Sequence, residues 1–409
     1  MITLADIQRA QKLVSQIARR TPVMTSPTIS ALCHADLTAP DDGIFLKAEN
    51  LQKTGSFKIR GAYWRLSLLS ASEKESGVVA ASAGNHAQGL ALAAKLLGVS
   101  ATVYMPETAS IAKIQATKGY GATVVLEGRT FDEAVIAAKN FQKRTGAVFV
   151  SAYDDDAIIA GQGTLGLEII EDLPDVDSVI IPVGGGGLFS GVATAIKSLK
   201  PDVRIVGVQA EGADNAYQSF IKHKLLLRTE PVHTICDGIA IKSPSARTFE
   251  YIETYADDMV TVADTDISSA LLLLIERMKL VVEPAGAAGL AALLAGRTEP
   301  HGKTLVILSG GNLDMKLLAD LIGREMIKEH RYLHLFTEVT DKPGGLARLL
   351  DIVASEKGNI ITVNHNRISP HVPLGATGVE LLLEVRDEAH QQKLTGALQA
   401  HGYSVEMME

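Results

Sequence analysis

The sequence predicts an α/β fold of doubly wound sheets, followed by a smaller α+β domain of the ferredoxin-like type. Short apolar runs alternate with longer helical patterns, and several of these runs end in glycine or other small residues. Near residue 330 the pattern changes, and strands and helices then follow in the order β-α-β-β-α-β. We therefore expect residues 1–330 to form one domain, with a smaller subdomain at about 50–150, and residues 331–409 to form another.

The strands expected in the first domain are apolar runs without polar alternation, which is typical of strands buried on both faces of a parallel sheet. The runs are GVVAAS at 77–82, ATVYMP at 101–106, TVVLEG at 123–128, SVIIPV at 178–183, RIVGVQ at 204–209 and KTLVIL at 303–308. Ligands of such sheets bind at the carboxyl ends of the strands. The glycine clusters that follow several runs are therefore placed to form a site.

In the second domain, the expected strands are YLHLFTEV at 332–339, NIITVNHNRI at 359–368, GVELLLEV at 378–385 and YSVEMM at 403–408. Two helical patterns separate them. Pro343 is expected near the start of the first helix, where a missing N–H has no cost. Gly358 is expected where that helix ends.

The composition indicates an ordinary soluble globular protein. Apolar residues make up 46% and charged residues 21% of the chain, and the net charge of -8 argues against a nucleic-acid partner. The cysteines, Cys33 and Cys236, lie outside any metal or haem motif. No signal peptide is recognisable, and no stretch approaches the roughly 18 apolar residues that cross a bilayer. The run LLLLIERMKLVV, for example, is interrupted by Glu276, Arg277 and Lys279. We expect a cytoplasmic protein without a membrane partner or a metal.

Lys58 stands in the segment TGSFKIRGA, residues 54–62, where a helix is expected to begin. An isolated S-F-K tripeptide most often holds a solvated lysine in the first helical turn. The positive end of the helix dipole nevertheless disfavours a cation there. A lysine kept unprotonated beside Phe57 is suited to form a Schiff base, so Lys58 is a candidate nucleophile.

The segment ASAGNHAQGLALAAK, residues 81–95, leads from a buried strand into a helix. Donor groups of Ser82, Gly84 and Asn85 at a helix N-terminus favour an anion such as a substrate carboxylate. The simpler interpretation is that Asn85 caps the helix and that His86 packs against its neighbours. This segment alone does not decide between the two interpretations.

The segment PVGGGGLFSGVA, residues 182–193, places four glycines between a strand and a helix. Glycine permits positive φ and close backbone approach, so the loop can surround a phosphate with N–H groups. A nucleotide-binding P-loop is excluded because Val192 replaces the required lysine. A dinucleotide fingerprint beginning at Gly185 remains an alternative, although a serine occupies its third position and the loop falls late in the domain.

Two further candidates lie near the end of the first domain. LVILSGGN, residues 305–312, is a buried strand that ends in small residues, and its Ser309 can meet a ligand nitrogen. Glu283 precedes Pro284, which suits the first position of a helix. Glu283 is therefore either a helix cap or an active-site carboxylate, and the cap is the simpler interpretation.

Together these segments resemble the fold type II family of pyridoxal-phosphate (PLP) enzymes, which is tryptophan synthase β-like, and most closely its threonine and serine dehydratases. The matching segments run in the family's order from about residue 20 to 315. The resemblance implies that Lys58 forms the Schiff base with PLP, that Asn85 bonds the ring oxygen and that Ser309 meets the pyridine nitrogen. It also implies cofactor contacts from Phe57, Gly184, Gly185, Gly186, Gly187 and Leu188. The substrate would lie against Ser82, Ala83, Gly84, Asn85 and His86.

The implied reaction is that of a threonine ammonia-lyase, which forms 2-oxobutanoate and ammonia from L-threonine and pyruvate from L-serine. Serine racemase and hydroxyaspartate dehydratase are alternatives of the same fold. Racemases of this family use a serine as a second base where this chain has Ala83. Their metal site has an aspartate where this chain has Asn215. More distant alternatives are an NAD-dependent oxidoreductase and a non-catalytic amino-acid sensor.

The residues after about 332 resemble an ACT domain, the amino-acid-sensing plait of many biosynthetic enzymes. The segment Asp341–Leu346, DKPGGL, matches the loop that leads into the first helix of an ACT domain, where a small effector can bind. A dimerisation module without a ligand is the alternative. The resemblance implies an allosteric homodimer or homotetramer in amino-acid metabolism, with isoleucine biosynthesis as one such role, but it does not identify the effector.

Overall fold

The computed structural model describes residues 1–33, 43–367, 372–373 and 375–408, and the chain divides into two units, Met1–Asp314 and Met315–Glu409. The division falls before a helix, Met315–Lys328, so this helix groups with the second unit. The change of pattern near residue 330 coincides with the end of that helix.

The first unit contains ten strands and thirteen α-helices among its described residues. The strands are β1 Val23–Thr25, β2 Gly43–Lys47, β3 Val78–Ala81, β4 Ala101–Met105, β5 Thr123–Leu126, β6 Val148–Phe149, β7 Ser178–Pro182, β8 Arg204–Ala210, β9 Asp258–Val262 and β10 Lys303–Ile307. The helices are α1 Leu4–Ile17, α2 Pro27–Leu32, α3 Lys58–Ser67, α4 Ala71–Ser76, α5 Asn85–Leu97, α6 Ile111–Gly119, α7 Phe131–Thr145, α8 Asp156–Asp172, α9 Gly187–Leu199, α10 Asn215–Ile221, α11 Ala246–Tyr255, α12 Asp264–Leu273 and α13 Pro284–Leu294.

These strands form two sheets, which confirms the predicted α/β fold. The larger sheet has the order β1-β2-β10-β7-β8-β9 and is parallel except for β1, which runs antiparallel to β2. The smaller sheet has the order β5-β4-β3-β6 and is parallel throughout. The six apolar runs named above form β3, β4, β5, β7, β8 and β10. A large core surrounds β7, β10 and α9, whose inward side chains are buried.

The second unit contains α14 Met315–Lys328, β11 Tyr332–Thr340, α15 Gly345–Ser355, β12 Asn359–Asn366, β13 Ala376–Glu384, α16 Glu388–Ala400 and β14 Glu406–Met407. After α14 the order is the predicted β-α-β-β-α-β. The strands pair antiparallel in the order β12-β13-β11-β14. Within the described residues of both units, no helix is long and apolar enough to cross a membrane.

Helix α15 differs from the sequence-based expectation at both ends. It begins after Gly344, whose φ of 84° is left-handed, so Pro343 precedes the helix instead of opening it. Beyond its last turn the left-handed residue is Lys357, with φ 66°, and not Gly358. Gly358 is required for space, because a Cβ there would lie 2.6 Å from Cδ1 of Leu394.

Candidate active site

Lys58 is the first residue of α3, and its side chain reaches the segment that follows β6. Its Nζ donates a 3.0 Å hydrogen bond to the backbone carbonyl of Ala152 and lies 5.0 Å from the centre of the Phe57 ring. Gly89 on α5 packs against the same turn, because a Cβ there would lie 3.0 Å from the carbonyl carbon of Lys58. The position of Lys58 therefore depends on contacts with α5 and with the residues after β6.

Burial lowers the pKa of Lys58 from 10.5 to about 8, and the charge of Glu283 partly opposes this shift. The sequence predicted a depressed pKa from the helix dipole, but removal of the amine from water is the main cause. Roughly a tenth of the amine is therefore unprotonated at pH 7, far more than for an ordinary lysine, and the unprotonated amine is the form that a nucleophile requires.

Asn85 is the first residue of α5 and does not cap that helix, so the helix-cap interpretation is wrong. Its Nδ2 donates a 2.6 Å hydrogen bond to Oε1 of Glu283. Its Oδ1 accepts a 2.6 Å hydrogen bond from Nδ2 of Asn312. The side-chain amide of Asn85 thus joins residues from three distant parts of the first unit.

Glu283 occupies the N-cap position of α13, as the simpler interpretation predicted, but its side chain makes no capping hydrogen bond. Burial raises the pKa of its carboxyl to about 7, while the hydrogen bond from Asn85 and the charge of Lys113 act in the opposite direction. A Cβ at Gly310 would collide with Oε1 of Glu283, so the glycine leaves room for the Asn85–Glu283 pair. Glu283 is therefore part of the same cluster as Asn85.

The remaining residues of the 82–86 segment have distinct roles in the local structure. The hydroxyl oxygen of Ser82 accepts hydrogen bonds from the backbone N–H groups of Gly84 and Ala87, at 3.2 and 3.3 Å. His86 is buried, and its Nε2 lies 3.1 Å from the carbonyl oxygen of Val150. Burial, together with the charge of Lys58, lowers the pKa of His86 to about 3, so its ring is neutral and donates to that carbonyl.

The loop between β7 and α9 contains the four glycines, Gly184 to Gly187, and leads into the buried Leu188. Gly186 has φ 90°, a left-handed conformation that favours glycine. A Cβ at Gly185 would collide with the ring of Tyr153, and one at Gly187 would lie 2.9 Å from Cα of Tyr153. The first N–H groups of α9 have no side-chain cap, so they can face an anion.

Ser309 follows β10 and is buried beside the loop that carries Lys58. The backbone N–H of Phe57 donates a 3.2 Å hydrogen bond to the carbonyl oxygen of Ser309. Its hydroxyl makes no hydrogen bond to another residue that the structure describes. A buried hydroxyl of this kind is suited to meet a ligand.

Sequence reasoning missed three residues of this site. Ala152 and Tyr153, just after β6, connect Lys58 with the glycine loop through a carbonyl and a ring. Asn312 lies in the LSGGN segment, yet its bond to Asn85 spans 227 residues. The only local signal for the first two is their place after a strand of a parallel sheet, where ligands bind.

Arg60, two residues beyond the candidate nucleophile, anchors the first turn of α3. It is fully buried, and its Nε and Nη2 donate to the carboxylate of Glu49 at 2.9 and 2.8 Å. Its Nη1 and Nη2 donate to Glu168 at 2.7 and 2.9 Å. Because a buried charge is tolerated only when paired, these bonds hold the start of α3 to neighbouring elements.

A known protein family matches most of the first unit. Residues 14–310 match the model of a family described as pyridoxal-phosphate dependent enzymes. The chain belongs to this family. PLP is therefore its cofactor, and the dinucleotide alternative for the glycine loop is set aside.

Two relatives cover the chain from end to end. It is 46% identical over 408 residues to the L-threonine ammonia-lyase of Thermotoga maritima, with 100% of both chains covered. It is 45% identical over 413 residues to the L-threonine ammonia-lyase of Geobacter sulfurreducens, again with 100% of both covered. The similarity to these PLP enzymes thus includes the second unit.

Two solved structures resemble more than three quarters of the chain. The processed form of threonine deaminase isoform 2 from Solanum lycopersicum is 35% identical with a TM-score of 0.72, over 78% of this chain and 87% of that chain. Maize serine racemase is 34% identical with a TM-score of 0.73, over 80% of this chain and 99% of that chain. These likenesses agree with the two-sheet architecture of a PLP enzyme.

The residues present fit PLP in three respects. The uncapped N-terminus of α9 and its glycine loop suit a phosphate dianion. Ser309 is a buried residue whose hydroxyl has no hydrogen-bond partner in the part of the chain that the structure describes, and it suits a ring nitrogen. The amine of Lys58, with its pKa of about 8, suits attachment to an aldehyde carbon.

Proposed function

We propose that the chain is a threonine ammonia-lyase that converts L-threonine into 2-oxobutanoate and ammonia and also converts L-serine into pyruvate. The observation that carries this proposal is the 46% identity to an L-threonine ammonia-lyase over the whole of both chains. The cluster of Lys58, Asn85 and Glu283, in which burial has shifted two ionisable groups, supports it.

In this proposal, each predicted site residue has one part. Lys58 attaches the cofactor, Asn85 donates to its ring oxygen, and Ser309 faces its pyridine nitrogen. The glycines at 184–187 and the N–H of Leu188 hold the phosphate, and Phe57 lies beside the ring. The substrate carboxylate binds at the N-terminus of α5, along residues 82–86, where backbone N–H groups and the helix dipole favour an anion.

The chemistry requires a proton carrier at the substrate's α-carbon. Bound PLP supplies an aldehyde for amine attachment and a conjugated ring that accepts electron density from that carbon. Nζ of Lys58 takes the α-proton, which a pKa of about 8 allows near neutral pH. The β-hydroxyl leaves as water by taking up one proton, which balances the α-proton that Lys58 removes. The enamine product tautomerises to an imine, and hydrolysis of the imine gives the 2-oxo acid and ammonia. Ser309 carries no negative charge to stabilise a protonated ring nitrogen, so that nitrogen stays largely unprotonated, which favours elimination over transamination.

Serine racemase is the alternative with structural support, because a serine racemase resembles the first unit. Racemisation requires a second base on the opposite face of the α-carbon. Ala83 carries no exchangeable proton at the position where we infer that racemases of this family place a serine. His86 is neutral, with a pKa of about 3, and its Nε2–H is held by Val150. Elimination therefore accounts better for these residues.

The test is an assay of the purified PLP-loaded protein with L-threonine, L-serine and 3-hydroxyaspartate. We expect formation of 2-oxo acid, fastest from L-threonine, and no accumulation of D-serine. Lys58→Ala should lose both the visible absorbance of the bound cofactor and the formation of 2-oxo acid. Lys74→Ala, which removes an exposed lysine on α4, is the matched control and should retain both.

Two outcomes would overturn the proposal. One is a protein that stays colourless after addition of PLP. The other is conversion of L-serine into D-serine faster than into pyruvate.

We further propose that the second unit is an ACT-like regulatory domain of a cytoplasmic homodimer or homotetramer. Its βαββαβ order and antiparallel sheet support this assignment. Gly344 and Gly345, in the DKPGGL segment, open α15, and a Cβ on Gly345 would lie 2.5 Å from the carbonyl oxygen of Thr340. An amino-acid effector would bind at this turn and adjust the lyase activity, in keeping with a role such as isoleucine biosynthesis.

A further inference from the structure

A directional chain of hydrogen bonds runs from the backbone to the amide of Asn85. Nδ2 of Asn312 donates to the backbone carbonyl of Thr54 at 2.8 Å and to Oδ1 of Asn85 at 2.6 Å. Nδ2 of Asn85 in turn donates to Oε1 of Glu283 at 2.6 Å. The chain therefore has four members and ends on a buried carboxyl.

The direction of this chain is set at its first member. A backbone carbonyl can only accept, so the group of Asn312 that faces Thr54 must be its NH₂. The second N–H of that NH₂ group then points to Asn85, which must present its oxygen. The NH₂ of Asn85 consequently faces Glu283, and one of its two N–H groups is left for another acceptor.

Two glycines leave room for this arrangement of side chains. Gly55, with φ 70°, lies directly against Asn312, because a Cβ there would be 2.5 Å from Oδ1 of Asn312. A Cβ on Gly310 would be 3.1 Å from Nδ2 of Asn85 and would collide with Glu283. The two asparagines thus have room only because two glycines border them.

We propose that Asn312 is a positioning residue that fixes the amide of Asn85 with its second N–H directed at the cofactor ring oxygen, an inference that rests on the contact between Asn85 and that oxygen proposed above. Without Asn312, the Asn85 amide could rotate and present its oxygen, which would repel an anionic ring oxygen. Asn312 itself touches neither cofactor nor substrate in this scheme. Asn312 acts through Asn85. This role explains why a residue of the LSGGN segment is hydrogen-bonded to the first residue of α5.

The experiment measures the dissociation constant of PLP for the full-length apoprotein by fluorescence titration. Asn312→Asp keeps the shape but places an acceptor against the carbonyl of Thr54 and Oδ1 of Asn85, so the Asn85 amide should turn. We expect PLP binding to weaken by about tenfold or more, the effect of about one good hydrogen bond. Asn140→Asp, the same change on the exposed face of α7, is the control and should leave the constant unchanged.

A double-mutant cycle separates positioning from a merely structural role. In the Asn85→Ala background, Asn312→Asp should leave PLP affinity nearly unchanged, because the residue through which it acts is absent. Equal weakening in both backgrounds, or no weakening in the wild-type background, would overturn the proposal. If Asn312→Asp does not fold, Asn312→Ala in the same cycle provides the same comparison without a new charge, and the same two outcomes decide it.

Discussion

At the scale of single residues, burial brings the pKa values of two ionisable groups of the site closer together. The pKa of Lys58 falls to about 8 and the pKa of Glu283 rises to about 7. Both shifts have the same cause, because a poorly solvated site disfavours the charged form of any group. His86, with its pKa lowered to about 3, stays neutral at physiological pH. Lys58 is therefore the better-placed group to carry a proton at the reacting carbon.

Glu283→Gln tests the ionisation of this carboxyl. A carboxyl whose pKa is raised on folding stabilises the protein at low pH, and this contribution is lost as pH rises from the unfolded value, 4.5, to about 7. A glutamine side chain does not ionise, so its contribution to stability does not change with pH. From pH 5 to pH 8, the variant should therefore gain about 2 kcal/mol of unfolding free energy relative to wild type.

The measurement is urea unfolding of the apoprotein at several pH values, followed by the fluorescence of the first unit. Glu299→Gln, at an exposed carboxylate, controls for loss of one negative charge. If the difference in unfolding free energy between Glu283→Gln and wild type does not change with pH, the carboxyl of Glu283 does not have the raised pKa.

At the scale of elements, the glycine loop shows how backbone N–H groups are kept available to bind a phosphate. Gly186 supplies a left-handed residue before α9, and Gly185 and Gly187 let Tyr153 pack directly on the loop backbone. The ring of Tyr153 thus supports the loop from one side. The loop's N–H groups can then face a ligand on the other side, as the helix dipole favours.

Gly185→Ala should disrupt this support. The new Cβ would collide with the ring of Tyr153, and overpacking of this kind costs about 1–3 kcal/mol. We expect a lower melting temperature and weaker PLP binding. Gly119→Ala is the control, since a Cβ there meets no atom within 4 Å. Tyr153→Ala alone should weaken PLP binding because it removes this support, and adding Gly185→Ala to it should weaken binding little further, since the ring with which the new Cβ collides is absent. Full further weakening in the Tyr153→Ala background would show that the clash is not the cause.

At the scale of the whole molecule, the chemistry and the proposed regulation lie in separate units. Every candidate catalytic or cofactor residue falls between Phe57 and Asn312, within the unit Met1–Asp314. The second unit has its own core, formed by side chains of β11, β13, α15 and α16. Two units with separate cores are expected to fold largely independently.

A chain ended at Asp314 should therefore retain PLP binding and turnover of L-threonine. Any response to an added amino-acid effector should be lost, because the proposed effector site is removed. A second truncation after His330 retains α14 and tests whether that helix supports the first unit. Steady-state kinetics with and without a panel of amino acids provide the measurement. Loss of activity in both truncations, with the full chain active, would contradict the division of roles.

Local patterns in the sequence determined the α/β class, six strands of the sheets, the βαββαβ order of the second unit, and the candidates Lys58, Asn85 and Ser309. They did so because strand and helix periodicity, and glycine and proline preferences, depend on short stretches of chain. Local patterns did not predict which residue after α15 has the left-handed conformation, because this residue is Lys357 and not Gly358.

Only the tertiary structure decided what surrounds each candidate. The sequence favoured a helix cap for Glu283, but its partner is Asn85, 198 residues away. The roles of Asn312 and Ala152 likewise depend on hydrogen bonds to residues that are distant in sequence, Asn85 and Lys58. The pKa of Lys58 also falls mainly because other segments exclude water from its amine, and not because of its place in a helix. Solvation and hydrogen-bond partners depend on neighbours in space, and those neighbours exist only once the two sheets have assembled.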